Sequence, residues 1–232
     1  MSADSDDADA ADVADETGVA CGGWDGSECE GTVHCPPRCP RFVDKLGDRW
    51  TVRPADSGDA DRLVGMYEAF TIEHRAQGLP PAGRERRIEW IESLFEEGSN
   101  VVAERGDRLL GHAVYTPTDA ARPEIAVFVH PDAQGRGVGT ELCRHLIADA
   151  AAGGREALDL YVTFDNKAAR HVYQALGFET VERDGDIHMA LSLEDPIATE
   201  VRWPPVVRDG PTAPPRDDSD RHDTPLHPDH NG

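Results

Sequence analysis

The sequence predicts a mixed α/β fold, a central and mostly antiparallel sheet with helices on both faces. Two observations carry this prediction. Short strand-like runs alternate with segments of helical period between about residues 49 and 194, and a glycine-rich turn stands where one strand passes into a long apolar helix.

The elements follow in order. Arg49 to Arg53 reads as a strand, and Ser57 is placed to cap a helix whose Leu63, Val64, Tyr67 and Phe70 recur at helical spacing. Ile88, Ile91, Leu94 and Phe95 form the stripe of a second helix over 84–97, which Gly98 ends. Strands over 100–104, 108–116 and 124–130 should form an antiparallel meander, the first two joined through Gly106 and Asp107. A helix from Gly137 to about Ala152 buries Leu142, Leu146, Ile147 and Ala150. Ala157 to Val162 is a buried strand, and Asn166 to Leu176 a helix closed by Gly177. A last hairpin, 178–183 and 187–193, turns at Asp184 and Gly185.

The flanks differ in composition. Residues 1–20 are rich in Asp and Ala with no aromatic residue, and 195–232 are rich in Pro and charge; both read as disordered tails. Residues 21–48 form a Cys-rich module between tail and domain.

Asp and Glu outnumber Lys and Arg 45 to 23, giving a formal net charge of -22. Such a surface repels nucleic-acid phosphates and anionic membranes, so neither is an expected partner. The same balance, with Lys45 and Lys167 the only lysines, is that of a protein kept soluble in concentrated salt, and a halophilic source is the expectation. The first residues lack the basic and apolar regions of a secretory signal, and no run is long enough to span a membrane, so the expected location is the cytoplasm.

The turn Gln134-Gly135-Arg136-Gly137-Val138-Gly139 opens a helix, where main-chain N–H groups without intrahelical partners and the helix dipole attract anions. Its glycines let a pyrophosphate approach those amides, and Arg136 reads as a mobile cation beside it. The spacing fits neither a dinucleotide fingerprint, which would need glycine at Thr140, nor a P-loop, which would need lysine. On the turn alone, anion binding and a merely tight turn stay equally open.

About 27 residues beyond it comes Asn166-x-x-Ala169-x-x-x-Tyr173-x-x-x-Gly177-Phe178. With Val129-His130-Pro131 and the turn before it, this segment resembles the ordered signatures of the GNAT superfamily of acyl-CoA N-acyltransferases, over about residues 49 to 193. The resemblance implies a GNAT-like fold in which the strand ending at Val129 splays from 157–162, opening a cleft for the pantetheine arm of acetyl-CoA. It implies main-chain contacts from Phe128 and Val129, and pyrophosphate binding by Gln134, Gly135, Arg136, Gly137, Val138, Gly139 and Thr140. Asn166 would touch the co-substrate from the other side. Tyr173 would be the general acid for the departing thiolate, and the Val129 N–H would hold the oxyanion. Glu124, at the start of the cleft strand, is the candidate base. Strict alternation puts it on the face opposite Val129, so that role requires a bulge or a different strand geometry. Without the resemblance, Tyr173 with Val172, Leu176 and Phe178 reads first as a core aromatic, and Glu124 reads also as an exposed strand-end carboxylate. His112 and Glu73-His74 are further ionisable candidates, and Cys143 reads as a packed thiol.

Cys21, Cys29, Cys35 and Cys39, with His34 nearby, could hold a structural zinc, although their spacing lacks the paired knuckle of common zinc ribbons. The expected function is direct transfer of an acetyl group from acetyl-CoA to a primary amine on a small molecule or peptide. The alternative is a non-catalytic acyl-CoA sensor or partner-docking protein.

Overall fold

The computed structural model describes Trp24 and residues 26–71 and 79–208. Fourteen elements follow one another: β1 (Arg41–Val43), β2 (Arg49–Pro54), α1 (Ala60–Glu68), α2 (Arg84–Glu97), β3 (Ser99–Arg105), β4 (Arg108–Thr116), β5 (Glu124–Val129), α3 (Val138–Ala152), β6 (Ala157–Val162), α4 (Lys167–Ala175), β7 (Glu179–Asp184), β8 (Asp186–Ser192), α5 (Pro196–Glu200) and α6 (Pro205–Arg208). One eight-stranded sheet runs in the order β1-β2-β3-β4-β5-β6-β8-β7. Every pairing is antiparallel except β5 with β6.

Alternation along the strands sorts side chains into two cores. On one face α3 lies on β3, β4 and β5, and Leu142, Leu146 and Ile147 meet Val101, Ala113, Ile125, Leu158, Leu160, Met189 and Leu191. On the other face α1 and α2 cover β3 and β4, and Leu63, Val64, Tyr67, Phe70 and Ile91 meet Val102, Leu109 and Phe128. Gly111 lets α3 lie close: an added Cβ would stand 2.8 Å from Leu142 Cδ1 and 3.2 Å from Val138 Cγ1.

Three features differ from the sequence reading. Asp56, not Ser57, provides the cap before α1: its carboxylate accepts from Gly58 N, and Ser57 begins a short 3-10 turn leading into the helix. The Cys-rich segment is no separate module over its described residues. β1 pairs with β2, Phe42 stacks on Trp50, and Arg38 is buried against α3; three-residue β1 is too short to show a period in sequence.

The expected C-terminal tail is also corrected for 195–208. Asp195 caps α5 with Pro196 in its first turn, and Ala198 and Val201 enter the α3 core. Pro196, counted in the sequence only as part of a Pro-rich composition, here starts a helix. Residues 1–20 and 209–232, expected to be disordered, lie outside the described residues.

Candidate active site

β5 and β6 share a single register pair. Glu124 is in register with Asp159, Asp159 N donates to Pro123 O at 3.0 Å, and beyond this point the two strands part. The pairing on the other side of β5 fixes which main-chain groups face the gap. His130 N donates to Leu110 O at 2.9 Å, so in this antiparallel ladder the even-numbered residues of β5 bond to β4 while the odd-numbered ones point away. The N–H groups of Val127 and Val129 therefore face the cleft between β5 and β6. Those of Phe128 face β4, across from His112. Phe128 thus does not turn its main-chain groups to the cleft as expected, and those of Val127 do, because groups on successive residues point to opposite edges of a strand. Phe128 contributes its ring, packed in the α1–α2 core against Tyr67 and Trp90.

At the open end of the cleft the chain turns through a short 3-10 segment into α3. Gly135 and Gly137 have φ of 72° and 94°, the left-handed region where a side chain is strained. Gly137 precedes the helix and supplies no side-chain cap; the first helical bond is Glu141 N to Gly137 O. The amides of Val138, Gly139 and Thr140 thus start the helix without intrahelical acceptors, and their dipoles favour an anion. Gln134 folds back, its Nε2 donating to Val129 O at 3.2 Å. Arg136 turns inward, a correction to the mobile cation expected from sequence: Nε donates to Asp44 Oδ2 at 2.6 Å, Nη2 pairs with Asp44 and Asp48, and the guanidinium lies over Trp50.

Asn166 caps α4, its side-chain oxygen accepting from Ala169 N at 3.1 Å. Seven residues on, Tyr173 packs against the α3 core with its ring 5.7 Å from Phe178. Burial, with Cys143 beside it, holds the Tyr173 phenol far above its ordinary range, so it stays protonated and able to donate. Burial pushes the Cys143 thiol up to about 12, which leaves it a packed thiol and not a nucleophile.

The closed end of the cleft is acidic. β5 carries no bulge along its pairing with β4, so Glu124 shares the face of Ala126 and Phe128, opposite the Val129 side chain; the bulge that its role as base required is absent, and Glu124 is the exposed strand-end carboxylate of the alternative reading. Partial desolvation at this exposed strand end, then the neighbouring Asp159 charge, raises the Glu124 pKa, and His188 offsets part of the shift. Asp159 accepts two bonds from Arg122, at 2.8 and 3.0 Å, and one from His188 Nε2 at 2.8 Å. Tyr161 stacks on His188 at 4.8 Å and is 47% exposed. Sequence reasoning missed Asp159, His188 and Tyr161, since their neighbourhood depends on the β6–β8 register; their alternation with buried Leu158, Leu160 and Met189 was the available signal.

The profile of the acetyltransferase (GNAT) family matches residues 61–178, half of the chain. The chain belongs to the GNAT family. Mycothiol acetyltransferase of Streptomyces scabiei (strain 87.22) is 40% identical over 139 residues, 58% of this chain and 44% of that protein. The one from Propionibacterium freudenreichii subsp. shermanii is 32% identical over 131 residues, 54% of this chain and 42% of that protein. The GNAT chain thus spans less than half the length of these relatives. L-amino acid N-acyltransferase MnaT of Escherichia coli is 33% identical over 100 residues, 40% of this chain and 58% of that protein. Among solved structures, the GNAT domain of S. lividans PAT superposes with a TM-score of 0.61 at 23% identity, over 71% of this chain and all of that one. The yncA structure from Salmonella typhimurium, solved with its cofactor acetyl-CoA, gives 0.53 at 24% identity, over 62% and 94%.

Other candidates on this GNAT domain have structural roles. His112 is fully buried, with Nε2 3.0 Å from Asn100 Oδ1 and Nδ1 2.6 Å from the Tyr67 hydroxyl. Asn100 Nδ2 donates to the carbonyls of Leu94 and Gly98, so its oxygen is the acceptor, Nε2 carries the hydrogen, and Nδ1 accepts from Tyr67. Burial drops the His112 pKa to about 3, fixing it neutral. Glu73-His74 lie outside the described residues, as does Cys21. Cys29, Cys35 and Cys39 are free thiols, and among the described residues no group of three or more His, Cys, Asp or Glu stands close enough to hold a metal ion. No described helix is long and apolar enough to cross a membrane.

Proposed function

We propose that the protein is an N-acetyltransferase that moves the acetyl group of acetyl-CoA directly to a primary amine. The observation that carries this reading is the parting of β5 and β6, which turns the Val127 and Val129 amides toward a cleft that ends at the uncapped start of α3. A pantetheine arm carries amides that can pair with such strand groups, and a pyrophosphate suits the amides of 138–140.

Transfer requires a neutral amine, a held oxyanion and a proton for the thiolate. Glu124, the expected base, stands five residues from Val129 on an unbulged strand and on its opposite face, so the acceptor ammonium loses its proton to water instead. The amine nitrogen bonds to the thioester carbonyl carbon, and the oxyanion is held by the Val129 N–H. The C–S bond then breaks, the thiolate takes the Tyr173 proton, and the nitrogen gives up its second proton through solvent to restore the phenol.

An acetyl-CoA turnover screen in high salt, against small amines, free L-amino acids and peptide N-termini, tests the proposal. Free L-amino acids belong in it because one relative is named an L-amino acid N-acyltransferase. Thiol release that depends on an amine supports it; tight acetyl-CoA binding without turnover on any acceptor would replace it with the sensor reading. A cytoplasmic, salt-adapted protein is the accompanying reading, supported by the charge of -22. Zinc on Cys21, Cys29, Cys35 and Cys39 would concern only the N-terminal segment, and well under one equivalent in purified protein ends that idea.

A further inference from the structure

Residues 26–48 precede the matched family region, yet they hold the pyrophosphate turn from behind. Asp44 is the centre of this contact. Its carboxylate is buried and accepts four hydrogen bonds: Oδ1 from Leu46 N at 2.9 Å and Asp48 N at 3.0 Å, Oδ2 from Trp50 Nε1 at 2.7 Å and Arg136 Nε at 2.6 Å. Next to it, Lys45 N donates to the Arg136 carbonyl at 3.2 Å, so both main chain and side chain of residue 136 are gripped. Asp48 completes the set by pairing with Arg136 and Arg105. The Arg136 side chain is 12% exposed and sandwiched against Trp50.

Two arrangements could explain an arginine in this turn. A cation aimed at phosphate would extend into the cleft with its charge uncompensated. An anchor would point into the protein and be neutralised there, leaving the peptide amides to bind the anion. Arg136 has the second geometry, between two carboxylates and an indole. The two neighbouring glycines make an anchor necessary, since Gly135 and Gly137 have more backbone freedom than any other residue and an untethered turn would have to be ordered when the ligand binds.

We propose that Asp44 is a positioning residue for acetyl-CoA, acting through Arg136 to hold the 135–140 amides in their binding arrangement, so that the segment before the family region is part of the co-substrate site. This rests on the acetyl-CoA reading above.

The test is calorimetric binding of acetyl-CoA to the full chain in high salt. Wild-type binding checks the underlying reading; if the wild type does not bind, that reading fails and the inference with it. Given wild-type binding, Asp44→Asn places an NH2 group where Oδ2 accepts from two donors, and should raise Kd at least ten-fold. Asp61→Asn, at an exposed carboxylate outside this contact, should change Kd less than three-fold. Arg136→Gln should weaken binding about as much as Asp44→Asn, and the double variant should add little to either, as for two parts of one unit. If Arg136 instead contacted phosphate directly, Asp44→Asn would free it and leave Kd unchanged or lower, which overturns the proposal. Should Asp44→Asn fail to fold, Arg136→Lys decides alone. Lysine keeps the charge but cannot bridge Asp44 and Asp48 over Trp50, so loss of affinity matching Arg136→Gln supports the anchor, and wild-type affinity refutes it. Where an active acceptor is in hand, KM for acetyl-CoA should rise in Asp44→Asn with kcat changed little.

Discussion

At the scale of single residues, the division between chemistry and packing rests on burial and on which way a group points. Tyr173 and Tyr67 are both phenols kept protonated by burial, but Tyr67 spends its hydrogen on His112 while Tyr173 stands on the helix that follows the cleft strand β6. Tyr173→Phe keeps the ring and removes the proton. It should lower kcat about 100-fold, the scale of a lost general acid, with acetyl-CoA affinity within three-fold of wild type. Equal loss in both would mark Tyr173 as packing. The histidines give a pH signature. Burial lowers His112 to about 3 and His145 to about 4, the latter opposed by the Glu141 charge, whereas both titrate near 6.5 when unfolded. Between those values the unfolded chain binds more protons, so their stabilisation is complete above pH 6.5 and lost as pH falls toward 4, about 3 kcal/mol from His145 alone. The melting temperature should therefore drop between pH 6.5 and 4, and His145→Gln should flatten that slope; a level profile in the wild type would contradict it. Residue identity in the motifs was legible in sequence. Direction was not: neither the inward turn of Arg136 nor the exchange of Phe128 for Val127 can be read without knowing which carboxylates and which strand lie alongside.

At the scale of elements, strands and helices of the 49–193 region emerged from periodicity to within a residue or two, because each is long enough to present a repeating face. The short pieces β1, α5 and α6 did not, and contacts far along the chain hold them. Arg38 is buried against α3, donating to both carboxylate oxygens of Glu141 at 2.7 and 3.0 Å and to Val201 O at 2.6 Å. Farther out, Val206 N donates to Cys29 O. The N-terminal segment, the first turn of α3 and the end of α5 thus meet at one ion pair. Burial alone would raise the Glu141 pKa, but Arg38 holds it down at about 2, so the carboxylate stays charged and dependent on its partner. Arg38→Ala would leave that charge buried and unpaired, and should cost about 3–5 kcal/mol in denaturant unfolding. A loss below 1 kcal/mol would show that water reaches Glu141 and that the pair is not the clasp described.

At the scale of the whole molecule, the charge of -22 and the incomplete sheet set the behaviour. Self-repulsion among carboxylates is strongest where screening is weakest, so the melting temperature should rise between dilute buffer and molar salt; no rise would remove the salt-adapted reading. The mixed sheet with helices on both faces was predictable from element order, but its eight-strand width and its flanking segments were not, since these depend on pairings between distant residues. The single register pair between β5 and β6 has a thermodynamic meaning as well as a chemical one. A sheet that stops pairing near the start of an inner strand leaves cleft-facing main-chain donors such as those of Val127 and Val129 without a strand partner, and acetyl-CoA, under the function proposed above, would act as the strand that the fold lacks. Without ligand the Val127 and Val129 amides should exchange with deuterium at rates typical of a sheet edge while Phe128, between them, is protected. Saturating acetyl-CoA should slow the outer two at least ten-fold and leave Phe128 unchanged, so that the ligand is read as missing secondary structure.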